Sequence, residues 1–228
     1  MLKFYQADVF AGQPFGGNPV AVFPDAQGLT DFQLQQIARE MNLSETVFVL
    51  PKPLFLGSVD APEDLFDIAK ALGLSIHQIV DTKKPVMVAS TGLPVVIVPV
   101  RTLTAVRSIV PDAAAIVEVC ERVGTNGILV FTTMTVEDHS TVHTRMFAPA
   151  IGILEDPATG SASGAMGAYL VHNGLVEVGP LTEIVVEQGY EIGRPARILV
   201  QIESDDDAIQ EVKVGGQCVM VVRGTLTF

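Results

Sequence analysis

The sequence predicts an α+β fold, mostly antiparallel strands with a few helices, divided between two unequal halves. Short β-rich runs bounded by glycine and proline recur through the second half, and helical spacing appears only in isolated stretches, so strands and helices do not alternate as βαβ units. The stretch ILEDPATGSASGAMGAYL, residues 153–170, ends in a helix built of Ser161, Ala162, Ser163, Gly164, Ala165, Gly167 and Ala168. A helix of such small residues is approached closely on several sides, as one threaded through a barrel of strands would be.

The first half opens with LKFYQADVF, passes through the loop GQPFGGNP and re-enters an apolar run, VAVF, which reads as two strands joined by a loop. Thr30-Asp31-Phe32-Gln33 has the form of a capping box, and Leu34, Ile37, Ala38 and Met41 follow at helical spacing to an end near Asn42. Thr46 to Leu50 is β-rich, which puts Leu43-Ser44-Glu45 on the connection before it. Asp60-Ala61-Pro62-Glu63 has the cap, early proline and first-turn acid of a second helix, with Gly73 placed to end it. After the basic linker Lys83-Lys84-Pro85 come the strand pair PVMVAS and PVVIVPV, a helix at about 112–123, and the strands ILVFTTM and TVHTRMF. Three or four further strands follow residue 170. The linker marks the boundary between a first domain, 1–83, and a second, 84–228.

At 228 residues with 48% hydrophobic and 18% charged content, the chain can bury a large core. A net charge of −12 and only 14 dispersed Lys and Arg exclude nucleic acid as the natural partner, leaving a small molecule or a protein. No apolar run reaches membrane-spanning length and the start, MLKFYQADVF, has no signal-peptide pattern, so a cytoplasmic protein is expected. Cys120 and Cys218 have no metal-ligand or redox spacing and read as buried small hydrophobes. Ser204-Asp205-Asp206-Asp207 reads as a solvated turn between strands.

Chemistry concentrates in residues 155–161. Thr159-Gly160-Ser161 supplies cap-type side chains and a permissive glycine at a helix start, where free N–H groups and the positive end of the helix dipole can hold a carboxylate or phosphate. Asp156 and Ser161 acting only as caps of a structural helix is the alternative. Arg145, on the strand entering this loop, is placed to pair with Asp156, to hold substrate, or to form a structural ion pair. His139 and His143, four apart in a strand-like run near Glu137 and Asp138, would share one face, but no third convergent ligand appears, so no metal site is expected.

Glu155-Asp156-Pro157-Ala158-Thr159-Gly160-Ser161-Ala162 resembles the signature of the phenazine-biosynthesis-like (PhzF) isomerases, a family related in fold to diaminopimelate epimerase. Gly17-Asn18-Pro19, Asn42-Leu43-Ser44-Glu45-Thr46, Ser90-Thr91-Gly92-Leu93-Pro94 and Gln188-Gly189 with Gly193-Arg194-Pro195 resemble its other motifs, in family order. The resemblance implies two pseudo-symmetric domains, each an antiparallel barrel around a central helix, with the site in the cleft between them. It implies acid–base chemistry without metal or organic cofactor: Glu45 removes and returns a proton, and Asp156 orients the substrate or shares proton traffic. Thr159, Gly160 and Ser161 then hold an acid substrate, and Asn18 faces it. A carboxylate desolvated in a cleft has its pKa raised toward working pH, as a general base requires.

The chain departs from that pattern after Leu50. Where the family continues with strands, a Gly-His-Ala-Thr-like motif and the first domain's central helix, this sequence goes to Pro51-Lys52-Pro53, and Gly-His occurs nowhere. His77 stands in the wrong context to replace it. The first domain is therefore expected to be truncated, its remaining strands either adding to the second domain's sheet or pairing with a second copy through exposed edges and apolar surface, and a homodimer is expected on this ground. Two functional readings stay open: a PhzF-type isomerase or epimerase, and a binding or interaction protein that kept the anion pocket but lost turnover. A phosphate-binding role for Gly16-Gly17-Asn18 is weaker, because those glycines lead into Pro19 and a strand where a P-loop would lead into a helix.

Overall fold

Strand β1 (Leu2–Val9) pairs antiparallel with β2 (Asn18–Phe23), and helix α1 (Asp31–Met41) then carries the chain over to β3 (Glu45–Phe48), parallel to β2. The computed structural model describes residues 2–24, 26, 28–48, 65–205 and 208–226. The capping box forms as expected: Gln33 N donates to Thr30 Oγ1 at 3.3 Å, and the Gln33 side chain accepts from Thr30 N at 3.0 Å. Asn42 closes α1 in the left-handed region (φ 49°), turning the chain so that Glu45 opens β3 opposite Val20. One face of this sheet packs on α1 through Ala21, Phe23 and Ile37, with Phe4 stacked on Phe23 at 5.6 Å.

Two short helices, α2 (Leu65–Ala71) and α3 (His77–Val80), lead into β4 (Met87–Ser90) and β5 (Pro94–Pro99). Then come α4 (Leu103–Arg107), α5 (Ala113–Val123), β6 (Ile128–Thr132), β7 (Val142–Ala148) and β8 (Ile153–Asp156). Helix α6 (Gly160–His172) is followed by β9 (Leu181–Gln188), β10 (Ala196–Asp205), β11 (Ala208–Gly215) and β12 (Cys218–Leu226). The second sheet runs β11-β10-β9-β7-β6-β5-β4, with β8 on β7. Its two ends both touch α6, so the sheet curls round the helix.

The small residues of α6 have the reason the sequence suggested. A Cβ on Gly167 would lie 2.7 Å from Val200 Cγ1, and one on Gly164 would lie 3.1 Å from Val214 Cγ2 and 3.2 Å from Thr91 Oγ1. Ala162, Ala165, Met166, Tyr169 and Leu170 fill the centre with Ile97, Phe131, Val186 and Val200. On the outer face, α2, α3, α4 and α5 cover Val96, Val98, Ile128 and Val130.

Most strand pairs are antiparallel; β2–β3, β5–β6 and β7–β9 are parallel, each joined by a connection that carries a helix. Elements do not sort in space by a cut at residue 83. Helices α2 and α3 pack on the second sheet's outer core, and β12 returns to pair with β1, so the four-stranded sheet reads β12-β1-β2-β3. The expected helix start at Asp60 and the Pro51-Lys52-Pro53 segment lie outside the described residues. Cys120 is buried as expected, but Cys218 is exposed, because it opens β12 at the rim of a cavity. Among the described residues no helix is long and apolar enough to cross a membrane.

Candidate active site

Between the two sheets lies a cavity of about 1020 Å³ whose lining includes Glu45, Asp156, Thr159, Gly160, Ser161 and Arg39. Glu45 enters it from the first residue of β3 and Asp156 from the last of β8. Neither is an ordinary surface acid. Burial, joined by the nearby charge of Asp156 and opposed by the Asn18 side chain, raises Glu45 from 4.5 to about 7. Burial raises Asp156 from 3.8 to about 6, against hydrogen bonds from Thr159 and the Ala158 backbone.

Asp156 is 4% exposed; its Oδ2 accepts from Thr159 Oγ1, while Oδ1 has no partner among the described residues. Thr159 is the N-cap of α6, yet its hydroxyl is committed to Asp156 and no side chain caps the helix. The first-turn N–H groups of α6, which have no intrahelical acceptors, are thus left for a ligand at Gly160 and Ser161. The pure capping role weighed for Asp156 and Ser161 is not what the geometry shows. Gln188 holds the loop from beneath: its Nε2 donates to Asp156 O (2.7 Å) and Thr159 Oγ1 (3.1 Å), and its Oε1 accepts from Thr159 N (3.3 Å).

Asn18 is fully buried at the start of β2 and does not line the cavity; its Nδ2 donates to Ala158 O at 2.7 Å, tying the two halves together beside Glu45. Gly17 precedes it at φ 59°, where a Cβ would collide with Val9 O. Arg145 is a correction. Its guanidinium forks onto Glu155 at 2.8 Å and 2.8 Å and donates to Val106 O and Ile109 O, so it is the structural ion pair of the three readings and does not line the cavity. The histidines are another. His139 sits in a turn before β7, so no shared strand face exists. His143 is fully buried between Glu187 (2.7 Å) and Glu191 (3.0 Å). Burial works against its charge, but those two carboxylates prevail and raise its pKa.

Sequence reasoning gave Gln188 and Arg194 no role and missed Arg39. Nothing in the sequence marks Gln188: its burial at the end of β9, which demands polar partners, is seen only in the structure. Arg39 is the one basic side chain lining the cavity among the described residues. A basic residue in the last turn of a helix, as Arg39 is in α1, is common enough that the sequence does not single it out.

The model of the phenazine biosynthesis-like protein family matches residues 7–60 and 53–224. The chain belongs to this PhzF family. A trans-2,3-dihydro-3-hydroxyanthranilate isomerase of Pseudomonas chlororaphis is 30% identical over 96% of this chain and 97% of its own length. An uncharacterised isomerase of Clostridium acetobutylicum is 28% identical over 98% and 97%. The Bacillus anthracis phenazine biosynthesis protein of the PhzF family shares the fold at TM-score 0.82 and 23% identity, covering 100% of this chain and 99% of that one. A Pseudomonas aeruginosa protein described as a predicted epimerase aligns at TM-score 0.73 and 25% identity, with 100% of both chains covered. With these relatives the chain is an enzyme of the isomerase and epimerase class. The Clostridium alignment runs over 295 positions where this chain has 228 residues, so a block of the relative has no counterpart here. The two family matches meet at 53–60, which places the seam just after β3.

Proposed function

We propose that this PhzF-family protein catalyses cofactor-independent proton transfer on a small carboxylic acid, with Glu45 and Asp156 as the acid–base pair. The observation that carries the reading is the desolvated pair itself, raised to about 7 and about 6 in one cavity, which near neutral pH can hold one proton between them. In its ionised form Glu45 accepts a proton from a carbon next to a double bond or carbonyl. The electron pair left on that carbon delocalises into the conjugated acid, and the proton returns from Glu45 or Asp156 to another carbon or the other face. The substrate carboxylate lies at Gly160 and Ser161, where the helix N–H groups and dipole favour negative charge as it builds up. Arg39 supports an acidic substrate in an otherwise acidic chain.

The test is proton–deuterium exchange by NMR in D₂O, with a panel of α-amino, hydroxy and cyclic unsaturated acids. Exchange into one compound, lost by about 10²–10⁴-fold in Glu45→Gln, is the expected result. No exchange in any compound would instead support the binding-protein reading.

The homodimer belongs to the same reading. Among the described residues β3 pairs only with β2, and a second copy would add to that free edge. Light scattering should give twice 24.3 kDa, and a strictly monomeric mass at high concentration would overturn the pairing.

A further inference from the structure

The turn joining β9 to β10 touches both halves of the site. It starts at Gln188, bends at Gly189 (φ 82°) and Gly193 (φ 70°), and closes with Arg194 N donating to Gly189 O at 2.9 Å. A Cβ on Gly189 would collide with Arg194 O and would lie 2.5 Å from Pro157 O, so the bend is pressed against the Asp156 loop. At one end Gln188 holds Asp156 and Thr159 by the bonds given above. At the other, Arg194 Nε donates to Gly17 O (2.7 Å), and its Nη2 donates to Gly16 O (3.1 Å) and pairs with Asp8 Oδ1 (2.9 Å). Gly17 N returns a bond to Pro195 O at 3.1 Å. Asn18 then closes the ring through Ala158 O.

This turn is itself anchored. Glu187, just before it, accepts from Val136 N and Glu137 N and meets His143, while Glu191 within it takes the other His143 nitrogen and lies 3.9 Å from Arg107. It is a rigid bracket on the complete sheet with one arm reaching the incomplete one.

We propose that the β9–β10 turn is a clasp that sets the separation of the two acid–base carboxylates, with Gln188 positioning Asp156 and Arg194 positioning Glu45 through Gly17 and Asn18. Both are positioning residues, since neither lines the cavity. The need for such a device follows from β3, an edge strand of four residues that among the described residues pairs only with β2, so its own sheet does not hold Glu45 against Asp156. The inference rests on the acid–base reading of the pair, but its geometry can be tested without turnover.

The experiment is a carbon-13 NMR titration of the Glu45 and Asp156 carboxyls in wild type, Arg194→Lys, Asp8→Asn and Gln188→Met. Arg194→Lys keeps the charge but cannot place the planar fork on Gly16 O, Gly17 O and Asp8 together. Asp8→Asn removes only the ion pair, because an amide oxygen can still accept from Phe15 N, which Asp8 Oδ2 now does at 2.8 Å. The other ionisable side chains lining the cavity, Arg39 and Cys218, are unchanged in all four proteins. With the clasp loosened the carboxylates separate, so the Glu45 titration should fall by at least half a pH unit in Arg194→Lys, and by less in Asp8→Asn. With substrate found, kcat in Arg194→Lys should drop about tenfold or more with KM within about twofold. Folded variants in which both titrations match wild type would overturn the proposal. If no substrate is found, the functional reading fails while the titrations still decide the clasp. Should Gln188→Met not fold, Asp8→Asn and Arg194→Lys, which leave the buried amide in place, carry the test.

Discussion

The two sheets of this molecule are built to different standards. Among the described residues, the second wraps round α6 and is closed on its outer face by four helices, while the first has four strands, one helix and β3 at its edge. Asp156, Thr159 and the start of α6 belong to the closed unit, where Gln188 holds the loop by three hydrogen bonds. Glu45 belongs to the open one. The difference teaches that the cavity's two carboxylates come from units of unequal closure, and that the weaker unit is tied to the stronger, here through Asn18 to Ala158 and Arg194 to Gly16 and Gly17.

The largest way to sharpen the comparison is the pH dependence of stability in Glu45→Gln. A carboxyl raised from 4.5 to about 7 on folding binds more protons in the native state, so its unfavourable contribution is absent below about pH 4.5 and complete above about pH 7. Glu45→Gln should therefore gain up to about 3 kcal/mol over wild type at pH 8 and nothing at pH 4, read by urea unfolding. An equal difference at both pH values would break the claim that β3 holds a desolvated acid.

Packing comes next. Gly167→Ala forces a methyl into Val200 and Ile202 and should cost about 1–3 kcal/mol, whereas Val47→Ala, on the open sheet, should stay within about 0.5 kcal/mol. Similar costs would mean that the first sheet is as tightly covered as the second. The smallest effect expected is that of Arg39→Gln. An exposed guanidinium contributes modestly, so KM for an acid substrate should rise a few-fold at unchanged kcat, and high salt should reduce the difference.

Much of this was legible in the residues. Thr30 and Gln33 announced α1, the small residues of α6 announced a helix enclosed by strands, and the motif order located both carboxylates. Arg145 was legible only as a choice of three partners, because alternation along β7 does not say which side of a curled sheet faces helix and which faces α4. Of the two histidines only His143 lies on the strand, which starts at Val142; His139 stands in the turn before it. Gln188 and Arg194 act on residues more than 25 and more than 170 positions away, largely through backbone N–H and C=O groups that no side-chain pattern records.

The return of β12 to β1 has a consequence for the order of assembly. Val9 pairs with Cys218, so the first sheet cannot close until a contact between the most distant parts of the described chain has formed, while the strands round α6 are joined by much shorter connections. The unit bearing Asp156 is then free to fold early, and β3 comes to rest against it only afterwards. Glu45 would then meet Asp156 only late in folding, after the start of α6 at Gly160 has taken its place.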